Sequence, residues 1–419
     1  MRPLRVVYFV SYYLDFKGSQ KSLLVLLRNL PAEVSTHVVF PGHGACVDAY
    51  RDAGMSVEVL PAPPALDTFG GGLLQTSVLA RAGLLLRHVV PYGRRFARLL
   101  RRERADLAHF NDTRSMLLAG LGATFARTPS IWHVRGDERG LRTLSASAAA
   151  LADGILCVAE AVRRTVPAPF RHKCRTVYNG VTPPDAAPRR CREALLASLD
   201  PGDGLAAPVA GPGDTPPGET TLAVVVGSIV PFKGIHHMIE AVRRLREAHP
   251  DLAKGLAVVI VGDAPYPDYA ADVRAAAARL GTTIRFAGWD DEPLDWIRAS
   301  DLVVLPTLEK EQLAIRGHAR LIWGSEGFSR TVLEAMSCAR PVIATRVAGV
   351  PEQVVDGVTG LLCAPSDPSS LADAFARFLG LPRAERVAMG EAGRDRVVSC
   401  FSVPQMVHGT VAAYRELMR

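Results

Sequence analysis

Strand-length apolar runs alternate with helix-length amphipathic segments along most of this chain, and that rhythm predicts an α/β architecture built on parallel sheets. The opening run RVVYFV is β-branched and aromatic; a polar, Gly-containing turn follows, then SLLVLLRNL, whose leucines predict a buried helix. Further strands are expected at 36–40, 56–60, 107–110, 130–134, 154–158 and 175–178. A second series begins later, with strands at 222–226, 257–261, 283–286, 302–305 and 341–344. Its helices are expected at 235–248, 269–280 and 328–336. Open parallel sheets bind ligands at the carboxyl ends of their strands, so two such halves imply two Rossmann-like domains facing each other across a cleft.

Between the two series, from Pro183 to Gly218, lie eight prolines and five glycines, interrupted by a short helical candidate at 189–199. The expected organisation is therefore an N-terminal domain over 1–183, a connection over 184–220 and a C-terminal domain over 221–400. A C-terminal helix, 401–419, is expected to pack back toward the first domain.

Length agrees with two cores: 419 residues exceed what one hydrophobic core usually organises. Hydrophobic residues make up 48% and charged residues 22%, which argues against disorder and against a polytopic membrane protein. The most apolar stretch, 73–90, is broken by Arg81 and Arg87, and the run 6–10 is too short for a secretory signal and reads as a strand. Seven scattered cysteines without a Cys-x-x-Cys pair fit a reducing, cytoplasmic compartment. Charge is uneven, with 24 Lys+Arg against 14 Asp+Glu in residues 1–185 and 25 against 28 beyond. A basic first half suits phosphates, nucleic acid or an anionic membrane, and only motifs choose among them.

Two C-terminal segments carry candidate chemistry. In SEGFSRTVLEAMSCARPVIATRVAGVPEQVVDGVTGLL, Gly327 permits a tight turn and Ser329 is placed to cap a helix whose second turn holds Glu334. The N–H groups of such a terminus suit a diphosphate, and Glu334 is spaced to accept ribose hydroxyls while Glu326 faces another part of the ligand. In VVVGSIVPFKGIHHMIEAV, a strand ends at Gly227 and Lys233 points its charge at a strand-end ligand, where it would stabilise a departing diphosphate. Taken alone, either segment also reads as an ordinary capped helix or a solvated turn.

Together these segments resemble glycosyltransferase family 4, enzymes of the GT-B type, and the likeness covers nearly the whole chain. It includes GSQKSLLVLLRNL, DLAHFN, IWHVRG, ADGILCVAEAVRR and VYNGV, in family order. The resemblance implies a retaining, metal-independent transferase that takes a sugar from a nucleotide-sugar. Glu326 would touch donor-sugar hydroxyls, the amides of Gly327, Phe328 and Ser329 would cradle that sugar and its phosphate, and Glu334 would hold the ribose. Lys233 matches the phosphate-binding lysine, and His133 matches a histidine near the reacting carbon. Gly18 and Ser19 occupy the small-residue loop after the first strand. Ser228 stands where relatives often carry Arg, so Arg330 or Arg135 is expected to supply the missing charge; Asn111 and Asp112 end another strand, where a turn or helix cap is expected and facing the acceptor is the alternative. No Asp-x-Asp is present, so the expected site holds no metal and needs no cofactor beyond the donor. The segment 309–325 departs from the family as an insertion beside the donor site, suited to a lid, to reading the acceptor or to a surface excursion.

The segment RRFARLLRRER, 94–104, puts Phe96, Leu99 and Leu100 on one helical face amid arginines, a pattern that suits peripheral contact with an anionic membrane or an ordinary packed helix. No zinc pattern or basic helix-turn-helix supports nucleic acid as a partner. A dehydrogenase would need G-x-G-x-x-G after a strand, and neither half has it. The reading that remains is transfer from a UDP- or GDP-sugar to a glycan, lipid-linked or small-molecule acceptor in cell-surface polysaccharide synthesis. The alternative is a sugar-nucleotide epimerase or a non-catalytic binding protein of the same fold.

Overall fold

The apolar runs become strands covered on both faces, the signature of parallel sheets flanked by helices: in β1 (Leu4–Phe9), Val6, Val7, Tyr8 and Phe9 are all buried. A computed structural model describes residues 3–66, 83–185, 187–199, 220–315, 318–324 and 326–419. They fall into two units, Met1–Gly180 with Ser402–Arg419, and Val181–Phe401. Most of the Pro/Gly-rich connection, the first part of the apolar stretch 73–90, and Arg316, Gly317 and Ser325 of the insertion lie outside the described residues.

The first unit holds a seven-stranded sheet in the order β3-β2-β1-β4-β5-β6-β7. Its other strands are β2 (Val34–Phe40), β3 (Val57–Val59), β4 (Leu107–Phe110), β5 (Ser130–Val134), β6 (Gly154–Cys157) and β7 (Cys174–Thr176). All six pairings are parallel. The order reverses between β1 and β4, so their carboxyl ends diverge and open the crevice where such sheets bind ligands.

Helices used below are α1 (Gly18–Arg28), α2 (Val90–Arg102) and α3 (Thr113–Ala126). Gly18 and Ser19 are thus the first turn of a helix and not a loop. The apolar stripe of α2 is core: Phe96, Leu99 and Leu100 are 0%, 4% and 1% exposed, so no apolar face remains on it to enter a membrane. Its crossing with α3 is close because a Cβ on Gly122 would sit 2.7 Å from the Gly93 carbonyl oxygen. Arg94, Arg98, Arg101, Arg102 and Arg104 stay exposed.

The second unit repeats the plan in six strands, β10-β9-β8-β11-β14-β15, again all parallel. The strands are β8 (Thr221–Val226), β9 (Leu256–Val261), β10 (Ile284–Gly288), β11 (Leu302–Leu305), β14 (Val342–Thr345) and β15 (Gly360–Cys363). The reversal falls between β8 and β11. The insertion is an antiparallel hairpin, β12 (Lys310–Ile315) and β13 (His318–Trp323), leaving the chain just after β11. Flanking helices include α4 (Ile235–Ala248), α5 (Pro267–Ala278) and α6 (Arg330–Ser337), and α7 (Val403–Leu417) ends the chain in the first unit.

Gly234 shows how tightly the β8 and β11 exits are fitted. It adopts φ +68°, and a Cβ there would lie 2.0 Å from the Pro306 carbonyl oxygen. Gly281 has nearly the same φ, +67°, with open space around it. We expect Gly281→Ala to cost about 1 kcal/mol in urea unfolding, from backbone conformation alone, and Gly234→Ala to cost clearly more. Equal costs would show that the Pro306 contact is soft.

Candidate functional site

The crevice of the second unit is built from four short segments. Beyond β8, the chain turns through Gly227 and Ser228 and winds one 3₁₀ turn, Pro231–Lys233, before Gly234 opens α4. Beyond β11, Leu308 N–H donates to the Phe232 carbonyl oxygen at 3.0 Å, fastening that exit to the Lys233 turn. The Lys233 ammonium pairs with Glu326 Oε1, and Thr307 Oγ1 donates to the same oxygen at 3.1 Å. Both charged side chains are largely buried, 20% and 11% exposed, so the pair sits in a medium that screens it weakly. Glu326 and Lys233, 93 residues apart, are therefore brought into one contact.

From Glu326 the chain enters α6. Ser329 is the N-cap, its hydroxyl accepting from Val332 N–H at 3.5 Å, and the first turn holds no acidic side chain to compete for the helix N–H groups. Gln353 brackets this turn: its Oε1 accepts from Ser329 N–H at 3.0 Å and its Nε2 donates to the Ser329 carbonyl at 2.8 Å. Gln353 is fully buried, so the bracket is shielded from water. Gly327 and Phe328 lie between these fastenings, and Phe328 packs edge-on against Phe401 at 5.2 Å. Glu334 faces outward one turn on and accepts from Arg330 Nε at 2.6 Å. Arg330 is thus paired with Glu334 through Nε, while its buried Nη1 has no hydrogen-bond partner.

In the first unit the crevice between β1 and β4 is tied by Ser11, whose hydroxyl donates to Asp112 Oδ1 at 2.7 Å. Asp112, rather than Asn111, caps α3 by accepting from Ser115 N–H at 2.7 Å. Asn111 instead turns its oxygen to Arg135, which donates to it from Nε and Nη2 at 3.0 and 2.7 Å and to Asn179 Oδ1 from Nη1 at 2.9 Å. These partners are amide oxygens, so the Arg135 charge is hydrogen-bonded without being neutralised by contact. Burial holds its pKa down to about 10, with nearby tyrosines and Asp112 opposing the fall.

His133 lies inside β5, one residue from its end, and is 3% exposed. Its Nδ1 bonds to His109 Nε2 at 3.0 Å, His109 Nδ1 bonds to the Tyr414 hydroxyl at 2.7 Å, and that hydroxyl meets Tyr8 Oη at 2.8 Å. The chain of four groups ends at His133 Nε2, a buried atom with no hydrogen-bond partner. Burial first, and the Arg135 charge second, push both imidazoles well below the usual histidine range, so the rings are neutral at pH 7. Gly18 and Ser19 open α1, which has neither a side-chain cap nor an acid in its first turn. A Cβ on Gly18 would meet nothing within 4 Å, so packing within the protein does not demand the glycine.

Gln353, Thr307, His109, Asn179 and Tyr414 were not singled out from sequence. His109 and Asn179 lie within the motif strings DLAHFN and VYNGV, where their polarity in apolar surroundings was the available signal. Tyr414, 305 residues from His109, carries no local signal at all.

Residues 16–183 match the family described as Glycosyltransferase Family 4, and residues 220–380 match Glycosyl transferases group 1. Among characterised proteins, the chain is 33% identical over 180 residues to a D-inositol 3-phosphate glycosyltransferase of Corynebacterium glutamicum, covering 42% of this chain and 38% of that one. It is 30% identical over 191 residues to a glycogen synthase of Mycobacterium tuberculosis, covering 45% and 41%. The chain thus spans well under half the length of the curated relatives it matches. Among solved structures, the Anabaena protein HepE in complex with UDP-glucose superposes with a TM-score of 0.72 at 18% identity, over 98% of this chain and 99% of that one. A sucrose-phosphate synthase of Thermosynechococcus elongatus superposes with a TM-score of 0.66, also at 18% identity, over 99% and 98%.

The neutral histidine pair sets a pH dependence. Between the lowered folded pKa values and the unfolded value of about 6.5, the unfolded chain binds protons that the buried rings refuse. Stability of the first unit therefore falls as pH drops below about 6.5, by up to about 1.4 kcal/mol per pH unit for each ring. Urea midpoints taken at about pH 7.5 and about pH 5.5 should differ less in His109→Phe than in the wild type. An equal difference would mean that the pair does not carry the effect.

Proposed function

The chain belongs to glycosyltransferase family 4 and has the GT-B fold, and from that premise we propose that it is a retaining, metal-independent transferase moving a hexose-type unit from a UDP- or GDP-linked sugar to a glycan, lipid-linked or small-molecule acceptor. The observation that carries this reading is the Lys233–Glu326–Thr307 cluster at the β8/β11 reversal, beside the capped, acid-free N-terminus of α6. A cation and a helix N-terminus at one crevice suit a diphosphate, and both gain strength where water is scarce.

In this reading Lys233 exchanges part of its bond to Glu326 for the β-phosphate and stabilises the charge that builds as the sugar departs. The amides of Gly327, Phe328 and Ser329 cradle the sugar and phosphate, held at a fixed height by the Gln353 bracket. Glu326, relieved of part of its pairing, orients donor hydroxyls, and Glu334 takes the ribose. Gly18 and Ser19, at an uncapped helix terminus, and Ser228 approach the phosphates closely. His133 presents its unpartnered Nε2 to the transferred sugar, with His109 and Tyr414 setting its tautomer. Arg135, fixed by Asn111 and Asn179, offers its charge to an anionic part of the substrate.

The UDP-glucose complex of the Anabaena neighbour supports a uridine donor. The relatives' names, a D-inositol 3-phosphate glycosyltransferase and a glycogen synthase, support a hydroxyl-rich acceptor without fixing its class. No helix among the described residues is long and apolar enough to cross a membrane. We place the enzyme in the cytoplasm, in cell-surface polysaccharide synthesis, with the exposed arginines of α2 available to an anionic bilayer surface.

Calorimetric titration with UDP, GDP and ADP and their sugar conjugates, without added metal, tests the donor site. Selective binding should weaken at least roughly tenfold in Glu334→Ala, the loss of about 1.4 kcal/mol expected for hydrogen bonds to a charged group. Failure of every nucleotide to bind the folded wild type would overturn the transferase reading. Lys233→Ala should depress turnover by roughly 100-fold or more, as for other groups that stabilise transition-state charge. His133→Ala should slow transfer with little change in donor affinity, and a normal rate would make that histidine purely structural.

A further inference from the structure

The inserted hairpin meets α4 in a polar cluster separate from the Lys233–Glu326 pair. Glu311, on β12, turns its carboxylate to the first turn of α4, where His236 and His237 are consecutive. Neighbouring helical residues ordinarily diverge by about 100° around the axis. Here the two rings lie 4.2 Å apart, and both Nε2 atoms converge on Glu311 Oε2, that of His237 by a hydrogen bond and that of His236 at 3.5 Å. The three ligating atoms lie within 4.8 Å of one another.

The surroundings fit a ligand set better than a closed hydrogen-bond network. His236 Nδ1 bonds to the Tyr269 hydroxyl at 2.8 Å, and the His236 backbone N–H donates to the same oxygen at 3.4 Å. With Nδ1 engaged there, Nε2 is the ring atom left facing the cluster. That Nε2 is buried and has no hydrogen-bond partner. A metal-binding histidine is usually fixed in this way, through its other nitrogen. The side chains are 21%, 12% and 23% exposed, and a cavity of 270 Å³ lined by His236, Tyr269, Asp272, Leu313 and Ala314 adjoins them, giving solvent access for a fourth ligand.

We infer that His236, His237 and Glu311 bind a divalent transition-metal ion of the zinc type, which fastens the inserted hairpin to the start of α4. Two imidazoles and one carboxylate form a borderline donor set that selects zinc over magnesium or calcium. Bonds of about 2.0–2.1 Å in a tetrahedron separate ligand atoms by roughly 3.4 Å, close to the His236–Glu311 spacing, and the ion replaces the His237–Glu311 hydrogen bond. Lys233 precedes α4 in the same chain segment, so the ion steadies the backbone that presents Lys233 but takes no part in the chemistry. Among the described residues, the other group of this kind, His37, Glu58 and Glu103, already holds a cation, because Arg102 pairs with both carboxylates.

Zinc titration of the full chain, purified without a polyhistidine tag and read by competition with a chelating dye, tests the assignment. One ion should bind per chain, Mg²⁺ should not displace it, and Tyr269→Phe should weaken it roughly 10- to 100-fold by removing the partner of Nδ1. Glu311→Gln, which keeps side-chain shape, should abolish it, and with it the visible spectrum of a bound four-coordinate Co²⁺. His37→Ala should leave it unchanged. Absence of saturable binding would overturn the proposal, as would binding that survives Glu311→Gln or is lost in His37→Ala. Circular dichroism of each variant separates lost ligation from lost folding, and none of these readings depends on glycosyl transfer.

Discussion

A parallel sheet covered by helices on both faces leaves only the ends of its strands for chemistry, and this constraint governs both units. Crossover helices bury most faces of the central strands in apolar packing, so charged groups of the inner strands gather where those strands stop. Where the strand order reverses, two exits diverge and the space between them is unfilled. In the second unit that space receives Lys233 from one exit and Thr307 from the other, with Glu326 closing the cluster. In the first it receives Ser11 from β1 and Asn111 and Asp112 from β4.

What distinguishes the two crevices is how their charges are held. The second pairs a cation directly with a carboxylate. The first contains two neutral imidazoles and a guanidinium whose hydrogen bonds go to amide oxygens. The Arg135 charge helps keep the histidines neutral, and their neutrality in turn leaves the arginine field unopposed by a second cation. Removing charge from one of these groups therefore alters the others, although the sequence separates them widely.

The hairpin adds a further layer to the second unit. Many apolar positions of β12 and β13 remain exposed, Leu321 at 54% and Trp323 at 49%, so the insertion is not held by burial alone. Leu313 packs on the core, and the polar contact of Glu311 with the paired histidines provides the second fastening.

The sequence by itself determined the α/β plan, because period and run length are local properties: β4, β5, β11 and α4 fall where the pattern predicts them. It also singled out Lys233, Glu326, Ser329 and Glu334, since caps, glycines and strand ends are written within a few positions of one another. Short-range pattern could not tell that Phe96, Leu99 and Leu100 face a core rather than a bilayer, since both environments select the same stripe. Nor could it assign Arg330 to Glu334 and Arg135 to two asparagines, because a guanidinium's partner depends on which strands become neighbours. Gln353 bracketing Ser329, and Tyr414 completing the histidine chain, were decided only when the chain folded. Hydrogen bonds between residues distant in sequence leave no periodic trace, and only tertiary structure brings their atoms within reach.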